Sequence, residues 1–313
     1  MLIGIDIGGT KCAVIRAGND GTILDRTAFA TADCESTMER FADAIEQFGK
    51  PDAIGISCGG PLDETRGLIL SPPNLIGWDN VPVTEILSSR FGCPAALCND
   101  ANACALAEWQ YGAGRGTRNM IFLTFGTGLG AGLNLDGQLY SGTNGNAGET
   151  GHIRLAEFGP VGYGKAGSFE GFCSGGGIRQ TAQTLALELL QTGKGCAYCP
   201  TVQDLDSVTA RSVAEAARAG DETAVRVYEL VGEKLGTGLS VLIDLLNPER
   251  IVIGSIFERS GDLMRKSMEA VIERETLPAA RAVCRVVPAE LGDRIGDYAA
   301  VAVAAGALEK GQT

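Results

Sequence analysis

The chain has 313 residues, 45% hydrophobic and 20% charged, a composition typical of a globular protein of about two domains. Its net charge of −12 and the absence of a lysine or arginine cluster argue against a nucleic-acid partner, because nucleic-acid binding needs a basic face. The longest apolar-looking run, residues 298–308, is shorter than the ~18 residues of a membrane span, and the chain begins on a strand rather than a signal segment.

The first part of the chain predicts strands that alternate with helices. Residues 2–7 are rich in isoleucine and predict a strand, which turns at Gly8 and Gly9 and returns over residues 12–16. Apolar residues at helical spacing predict a helix over residues 35–48. The elements predicted next are a strand at 53–57, a helix from 82 to about 91, a strand at 95–98 and a helix from about 101 to 111.

A glycine-rich loop at residues 112–116 is the predicted linker. After it the opening pattern recurs, with a strand at 120–125, a turn at 126–130 and a returning strand at 131–135. The remaining predicted elements are helices at 177–192 and 221–246, a buried strand at 251–254 and a terminal helix at 293–309. This alternation predicts an α/β protein with a small N-terminal domain at 1–113 and a larger domain at 114–292. We expect the C-terminal helix, about 293–313, to pack back on the first domain.

The first glycine turn has the composition of a phosphate-binding loop. Gly8 and Gly9 lack a β-carbon, so their N–H groups can approach an anion closely. Thr10 and Lys11 add donors, and Asp6 could hold Mg²⁺ directly or through water. An ordinary glycine hairpin is the alternative for the Gly-Gly pair alone.

A second glycine turn and an acid complete a set that suits phosphoryl transfer to a hydroxyl group. Gly126, Thr127 and Gly128 could contact the same nucleotide as the first turn. Asp100 could accept the proton of the attacking hydroxyl, although an aspartate before a helix is also a common N-cap.

The only histidine of the chain lies in a glycine-rich segment, residues 145–152. A lone histidine is often structural, but glycine neighbours are a poor setting for a packed core histidine. Together with Glu149 and Glu170, His152 could form directional hydrogen bonds to sugar hydroxyls.

The ten cysteines are scattered along the chain. Cys12, Cys58 and Cys98 lie in apolar, strand-like runs, where free cysteine behaves as a small hydrophobic residue. We therefore expect a reducing cytoplasm. Cys196 and Cys199 form a lone CxxC pair without the second pair that a zinc site needs.

Taken together and in this order, these segments resemble the ROK family of sugar kinases and repressors, within the hexokinase–actin–Hsp70 fold. The resemblance covers nearly the whole chain. The segments that carry it are DIGGTK at 6–11, GGPLD at 59–63, PNL at 73–75, NDANA at 99–103, GTGLG at 126–130, GETGH at 148–152, and NPE at 247–249 followed by IVIG at 251–254.

The resemblance implies a two-domain, actin-like ATPase (ribonuclease H-like) fold with an interdomain active-site cleft. It implies ATP and Mg²⁺ as cofactors and Asp100 as the general base. The implied hexose-binding residues are Gly60, Asn74, Asn99, Glu149, His152 and Glu170. The implied nucleotide-binding residues are Gly8, Gly9, Thr10, Lys11, Gly126, Thr127, Gly128 and Gly254.

Two departures from the family pattern stand out. The family commonly carries a zinc site with three cysteines, but the matching run 161–170, VGYGKAGSFE, has none of them. We therefore expect no zinc, and a loop ordered by packing through Tyr163 and Phe169. The second departure is Ser255, which follows Gly254 where the family often has another glycine.

The sequence thus predicts an ATP-dependent, glucokinase-like hexose kinase. Glucose is the leading substrate, with N-acetylmannosamine, allose and fructose as alternatives, and family habit suggests a homodimer. The rival hypothesis is a non-catalytic, sugar-sensing ROK protein. Because the chain begins at the first phosphate strand, without room for the repressors' DNA-binding segment, we expect the kinase.

Overall fold

The structure is a computed structural model in which residues 1–311 are described, and it divides into two compact units. Unit 1 comprises Met1–Thr117, Gly132–Ala147 and the described residues from Glu290 onward. Unit 2 comprises Arg118–Ala131 and Gly148–Ala289.

Both units are built from strands and helices. The strands are β1 (Leu2–Ile7), β2 (Lys11–Ala17), β3 (Ile23–Ala30), β4 (Ala53–Cys58), β5 (Leu62–Asp63), β6 (Leu68–Ile69), β7 (Ala95–Asn99), β8 (Met120–Phe125), β9 (Leu129–Leu135), β10 (Gln138–Leu139), β11 (Val161–Gly162), β12 (Lys165–Ala166), β13 (Arg250–Ile253) and β14 (Arg285–Pro288). The α-helices are α1 (Cys34–Phe48), α2 (Val83–Phe91), α3 (Asp100–Tyr111), α4 (Phe169–Phe172), α5 (Gly175–Gln191), α6 (Ala210–Arg218), α7 (Glu222–Leu246), α8 (Ile256–Glu275), α9 (Pro278–Val283) and α10 (Ile295–Gly311). Across residues 1–311, none of these helices has both the length and the apolar character that a bilayer crossing requires.

The sheet of unit 1 has the strand order β3-β2-β1-β4-β7. Strands β1, β4 and β7 are parallel, whereas β2 is antiparallel to both of its neighbours. Side chains alternate between the two faces of a strand, and β1 shows this directly. Ile3, Ile5 and Ile7 pack with α1, while Leu2 packs with α10.

Helix α10 lies unusually close to the sheet of unit 1. Gly4 and Gly55 are opposite each other in β1 and β4, so this part of the sheet presents no side chains. A β-carbon on Gly55 would lie 2.1 Å from the Ala304 backbone nitrogen, and one on Gly4 would lie 2.9 Å from the Ala300 β-carbon. Small residues on both surfaces therefore set the helix-to-sheet distance.

Unit 2 contains a parallel set of strands, β8, β13 and β14, together with helices α4 to α9. After β8 the chain turns at residues 126–128 into β9, and it enters unit 1 at Gly132. Helices α7 and α8 approach closely at glycine positions. A β-carbon on Gly232 would lie 2.5 Å from the Met264 carbonyl oxygen, and one on Gly236 would lie 2.6 Å from that of Met268.

The structure differs from the sequence prediction in several places. The predicted boundary at residue 113 does not coincide with the units, because the segment from Gly132 to Ala147 belongs to unit 1. A β-carbon on Gly132 would lie 2.4 Å from the Ala105 β-carbon, and Asn134 Nδ2 donates to the Ala105 carbonyl oxygen at 3.3 Å. Packing against α3 therefore places the segment 132–147 in unit 1.

Several elements were not predicted, among them β3, α6, α8 and β14. The signal for α8 was present, since Phe257, Met264, Met268 and Val271 are all buried and recur at helical spacing. Strand β3 has no fully buried residue and offers no comparable pattern. The predicted terminal helix begins at Ile295, and residues 312 and 313 of that prediction lie outside the described residues.

The glycine contact under α10 makes a testable prediction. We expect Gly55→Ala to lower the free energy of unfolding by about 3 kcal/mol, because the added methyl would collide with the helix backbone. Gly306→Ala is the matched control within α10, where no described atom lies within 4 Å of the new β-carbon. Denaturant unfolding should show this control to be more stable by about 0.5–1 kcal/mol. Equal effects of the two substitutions would contradict the close approach.

Candidate active site

The predicted chemical residues of unit 1 follow the ends of its parallel strands. Ile7 pairs with Cys58 across β1 and β4, and Cys58 pairs with Asn99 across β4 and β7. The carboxyl ends of parallel strands meet at one edge of a sheet, where ligands of open α/β sheets bind. Residues 8–11, 59–60 and Asp100 therefore belong to the same edge.

Asp100 is the first residue of α3, and the helix cap is Asn99 rather than Asp100. Asn99 Oδ1 accepts a hydrogen bond from the Ala101 N–H at 3.0 Å, and Asp100 Oδ1 accepts from the same N–H at 2.8 Å. β-Carbons on Gly59 and Gly60 would lie 3.8 Å from Asp100 Oδ2 and from Asn99 Nδ2, respectively. The two glycines thus lie beside the side chains of Asp100 and Asn99.

Asp100 is accessible to solvent even though protein atoms surround it. Its partial desolvation raises the pKa of the carboxyl above the usual 3.8, and the hydrogen bond from the Ala101 N–H opposes that shift. A carboxylate that is reachable, fixed at a helix start and more basic than usual has the properties of a general base.

Glu64 supports this segment and was missed by the sequence analysis. Its Oε1 accepts a hydrogen bond from the Asn99 N–H at 2.7 Å, directly before Asp100. Glu64 lies between β5 and β6, more than 30 residues before Asn99 in the chain. No local sequence pattern distinguishes it from a surface glutamate.

Asp6 lies on the face of β1 that α10 covers. A β-carbon on Gly296 would lie 3.2 Å from Asp6 Oδ2, and the next residue, Asp297, forms an ion pair with Arg26 at 2.9 Å. Burial, followed by the charges of Asp297 and Asp100, raises the pKa of Asp6 to about 6. Asp6 is thus a largely desolvated carboxylate with two acidic neighbours, whose effect on its pKa is opposed by Arg26 and Lys11.

The first glycine turn is held by hydrogen bonds on both sides. The Gly8 N–H donates to the Lys11 carbonyl oxygen at 3.2 Å, and Thr31 Oγ1 donates to the Gly8 carbonyl oxygen at 2.6 Å. A β-carbon on Gly9 would lie 2.7 Å from the Asn74 β-carbon, so Asn74 lies against this turn. Thr10 and Lys11 are exposed, as donors to a ligand must be.

The second glycine turn is anchored within unit 2. The Gly126 N–H donates to the Gly128 carbonyl oxygen at 3.1 Å, and the Gly126 carbonyl oxygen accepts from the Gly175 N–H at 2.8 Å. Gly175 is the first residue of α5, so this helix begins beside the turn. Thr127 is exposed.

Glu170 connects this turn to the segment that holds the histidine. Its Oε2 accepts a hydrogen bond from the Leu129 N–H at 3.0 Å and would lie 2.8 Å from a β-carbon on Gly128. A β-carbon on Gly151 would lie 2.2 Å from the Leu129 carbonyl oxygen and 3.2 Å from the Glu170 β-carbon. Residues 126–130, 148–152 and Glu170 therefore form one cluster in unit 2.

Glu149 precedes a short 3₁₀ turn (Thr150–His152) of which His152 is the last residue, and both are exposed. The His152 N–H donates to the Glu149 carbonyl oxygen at 3.2 Å. The ring of Tyr163 meets the His152 ring edge-on at a centroid distance of 5.3 Å, and Lys165 Nζ donates to the His152 carbonyl oxygen. These contacts hold the histidine from one side, and the residue remains exposed.

Packing and hydrogen bonds order the loop that lacks cysteines. Phe169 is fully buried against Gly238 of α7, and the two main-chain groups of Val161 bond to the Gln180 side chain at 2.9 Å each. Tyr163 has a φ of 43° at the tip of the β11–β12 hairpin and is 84% exposed. No cluster of three or more potential metal-ligating His, Cys, Asp or Glu side chains occurs within residues 1–311.

A family model described as the ROK family matches residues 2–307. The chain belongs to the ROK family. It is 32% identical over 309 residues to a glucokinase from Streptomyces coelicolor, covering 95% of both chains. It is 29% identical over 306 residues to a xylose repressor from Caldicellulosiruptor bescii, covering 94% of this chain and 75% of the repressor.

A solved structure of a ROK family glucokinase from Streptomyces griseus, in complex with glucose and AMPPNP, is also similar. The two chains are 30% identical, the match covers 97% of this chain and 98% of the other, and the TM-score is 0.73. The predictions of ROK membership and of an α/β, two-domain, actin-like ATPase fold are confirmed.

Within this ROK chain, the departure at Ser255 has a structural consequence. Ser255 has φ 59° and ψ −106°, a conformation that glycine adopts readily and other residues rarely do. The serine lies between Gly254 and α8, and its Oγ would be 3.5 Å from a β-carbon on Gly126. The chain thus carries a side chain at a strained backbone position beside the second glycine turn.

The environment of Asp6 predicts a pH-dependent contribution to stability. Because the folded-state pKa is raised from 3.8 to about 6, this contribution is present below pH 3.8 and is lost as pH rises through 6. Asp6→Asn should therefore raise the free energy of unfolding at pH 7.5, by about 3 kcal/mol at most. The difference from the wild type should shrink between pH 6 and pH 4.

Chemical denaturation at several pH values measures this effect in metal-free buffer. Asp43→Asn, on the exposed side of α1, is the control and should leave the pH dependence unchanged. A variant at position 6 that is less stable than the wild type at pH 7.5 would disprove the assigned environment.

The strain at Ser255 predicts a stabilising substitution. Ser255→Gly should raise the free energy of unfolding by about 1 kcal/mol, since relief of backbone strain exceeds the added entropy of the unfolded chain. Ser255→Ala is the matched control, because it removes the hydroxyl but keeps the β-carbon that causes the strain. Thermal or denaturant unfolding should show no gain for alanine. A gain for both would assign the effect to the hydroxyl instead.

Proposed function

We propose that this chain is an ATP-dependent hexose kinase of the glucokinase type, with Asp100 as the general base. The observation that carries the proposal is the position of Asp100 at the start of α3, solvent-accessible, facing Gly59 and with a raised pKa. Membership of the ROK family and the similarity to the glucokinase from Streptomyces coelicolor support the reaction class.

The proposed step transfers the terminal phosphoryl group of ATP to a sugar hydroxyl. The hydroxyl proton moves to a carboxylate oxygen of Asp100 as the hydroxyl oxygen bonds to the γ-phosphorus. The bond from the γ-phosphorus to the bridging oxygen breaks, and ADP leaves with that oxygen. General-base assistance accounts for about 10²- to 10⁴-fold of the rate, and positioning and charge stabilisation supply the rest.

The surroundings of Asp6 fit a divalent cation. Mg²⁺ is bound in kinases by one or two carboxylates together with substrate phosphates and water. We assign Asp6 to hold it, directly or through water, because Asp6 is a desolvated carboxylate that follows the phosphate-strand pattern and has Asp297 and Asp100 as acidic neighbours. When bound, Mg²⁺ would offset the negative charge of the phosphates.

The other predicted residues receive these proposed roles. Hexose hydroxyls are bound by polar side chains, whose pairing discriminates strongly between sugars. The proposed hexose residues are Gly60, Asn74 and Asn99 in unit 1 and Glu149, His152 and Glu170 in unit 2. The proposed nucleotide residues are Gly8, Gly9, Thr10 and Lys11 in unit 1 and Gly126, Thr127, Gly128 and Gly254 in unit 2.

Glucose is the proposed substrate because two of the similar proteins are glucokinases. N-acetylmannosamine, allose and fructose remain alternatives, and so does a sugar sensor without turnover, which the similarity to a repressor favours. A cytoplasmic homodimer without zinc and without a nucleic-acid partner also stays part of the proposal.

A coupled ADP-release assay over glucose, N-acetylmannosamine, allose and fructose is the test. Sugar binding without ADP release from any of them would favour the sensor.

Substitution of the proposed base separates chemistry from binding. Asp100→Asn should lower kcat by about 10²- to 10⁴-fold, because the amide cannot accept the hydroxyl proton. The sugar affinity of the variant, measured by calorimetry, should stay within about threefold of the wild-type value, because asparagine keeps the size and the polar character of the side chain. Asp25→Asn, at an exposed ion pair with Arg16, is the control and should retain wild-type turnover. Wild-type kcat in the Asp100 variant would remove this residue from the mechanism.

A further inference from the structure

Glu108 is a buried carboxylate that the proposed reaction does not use. It lies in the last turn of α3 and is 0% exposed. A buried charge is costly unless hydrogen bonds satisfy it. Backbone N–H groups donate hydrogen bonds to the Glu108 carboxylate, and they belong to two segments that are far apart in the chain.

The first segment follows α3 and leads out of unit 1. The Ala113 N–H donates to Glu108 Oε2 at 2.7 Å, and the Gly114 N–H donates to the Glu108 carbonyl oxygen at 2.8 Å. The neighbouring Trp109 Nε1 donates to the Thr117 carbonyl oxygen at 2.7 Å. Thr117 is the last residue of unit 1 before the chain enters unit 2.

The second segment brings the chain back into unit 1 at Glu290. The Leu291 N–H donates to Glu108 Oε1 at 2.9 Å, and the Glu290 N–H donates to both carboxylate oxygens at 3.1 and 3.2 Å. One side chain therefore holds the exit segment on one oxygen and the return segment mainly on the other.

We infer that Glu108 is a positioning residue that fixes, within unit 1, both the exit and the return of the chain. This inference rests on the proposed function. Residues with proposed roles occur in each unit, and the chain passes from one unit to the other at these two segments. Hinges in enzymes are formed by a few such residues at the ends of elements, far from the chemistry.

The test variant is Glu108→Gln. The side-chain nitrogen of glutamine cannot accept a hydrogen bond, so the backbone N–H groups bound to one of the two oxygens lose their acceptor. Hydrogen exchange of the Ala113, Glu290 and Leu291 amides should become at least about tenfold faster, while amides of the central strands change much less. For the sugar that the wild type phosphorylates, kcat/KM should fall about tenfold or more, because small misplacements cost that much.

The chain offers a matched control. Arg115 and Glu290 join the same two segments by an exposed ion pair at 3.0 Å, with both side chains more than half exposed. Exposed pairs contribute little, so Glu290→Gln should change exchange and kcat/KM by less than about twofold. If Glu108→Gln fails to fold, Glu108→Asp keeps the charge on a shorter side chain and should give intermediate effects.

Two results would overturn the inference. Exchange that accelerates evenly along the whole chain would make Glu108 a general stability residue. Faster exchange in both segments with unchanged kcat/KM would separate it from the reaction. Failure of the proposed function is distinguishable, because the wild type itself would then release no ADP with any sugar of the panel.

Discussion

The close approach of α10 to β1 and β4 is the constraint on which the chemistry of unit 1 depends. Gly4 and Gly55 leave a surface without side chains, and the alanine-rich helix α10 packs against it. The start of that helix then lies beside Asp6, which desolvates the carboxylate and adds the charge of Asp297. A packing contact between small residues thus produces the electrostatic environment of a proposed metal-binding residue.

Two carboxylates of unit 1 show that hydrogen bonding determines the energetic effect of burying an acid. Glu108 is fully buried and accepts three backbone N–H groups, so its charge serves to hold segments in place. Asp6 lies near other acids and has a pKa raised to about 6, so its charge costs stability in the absence of a cation. The first pattern fits the positioning role inferred for Glu108, and the second fits the cation-binding role proposed for Asp6.

Unit 2 shows how a ROK chain orders its 161–170 loop without the cysteines that the family commonly has. Burial of Phe169 agrees with the prediction that packing orders this loop, whereas Tyr163 is largely exposed and contacts only one side of His152. Gln180 of α5, which the sequence analysis did not single out, holds Val161 through both of its main-chain groups. The loop is therefore tied to two helices by apolar and polar contacts.

The sequence by itself determined the family, the fold class, about half of the helices and strands, and the position of the two glycine turns, because these depend on local composition, periodicity and motif order. Only the tertiary structure decided the roles of Glu64, Asp297 and Glu108. Each of them acts on residues that are distant in the chain. The pKa of Asp6 and the strain at Ser255 likewise follow from desolvation, neighbouring charges and backbone conformation. These quantities arise from contacts across the folded chain, and a linear pattern of residue types does not encode them.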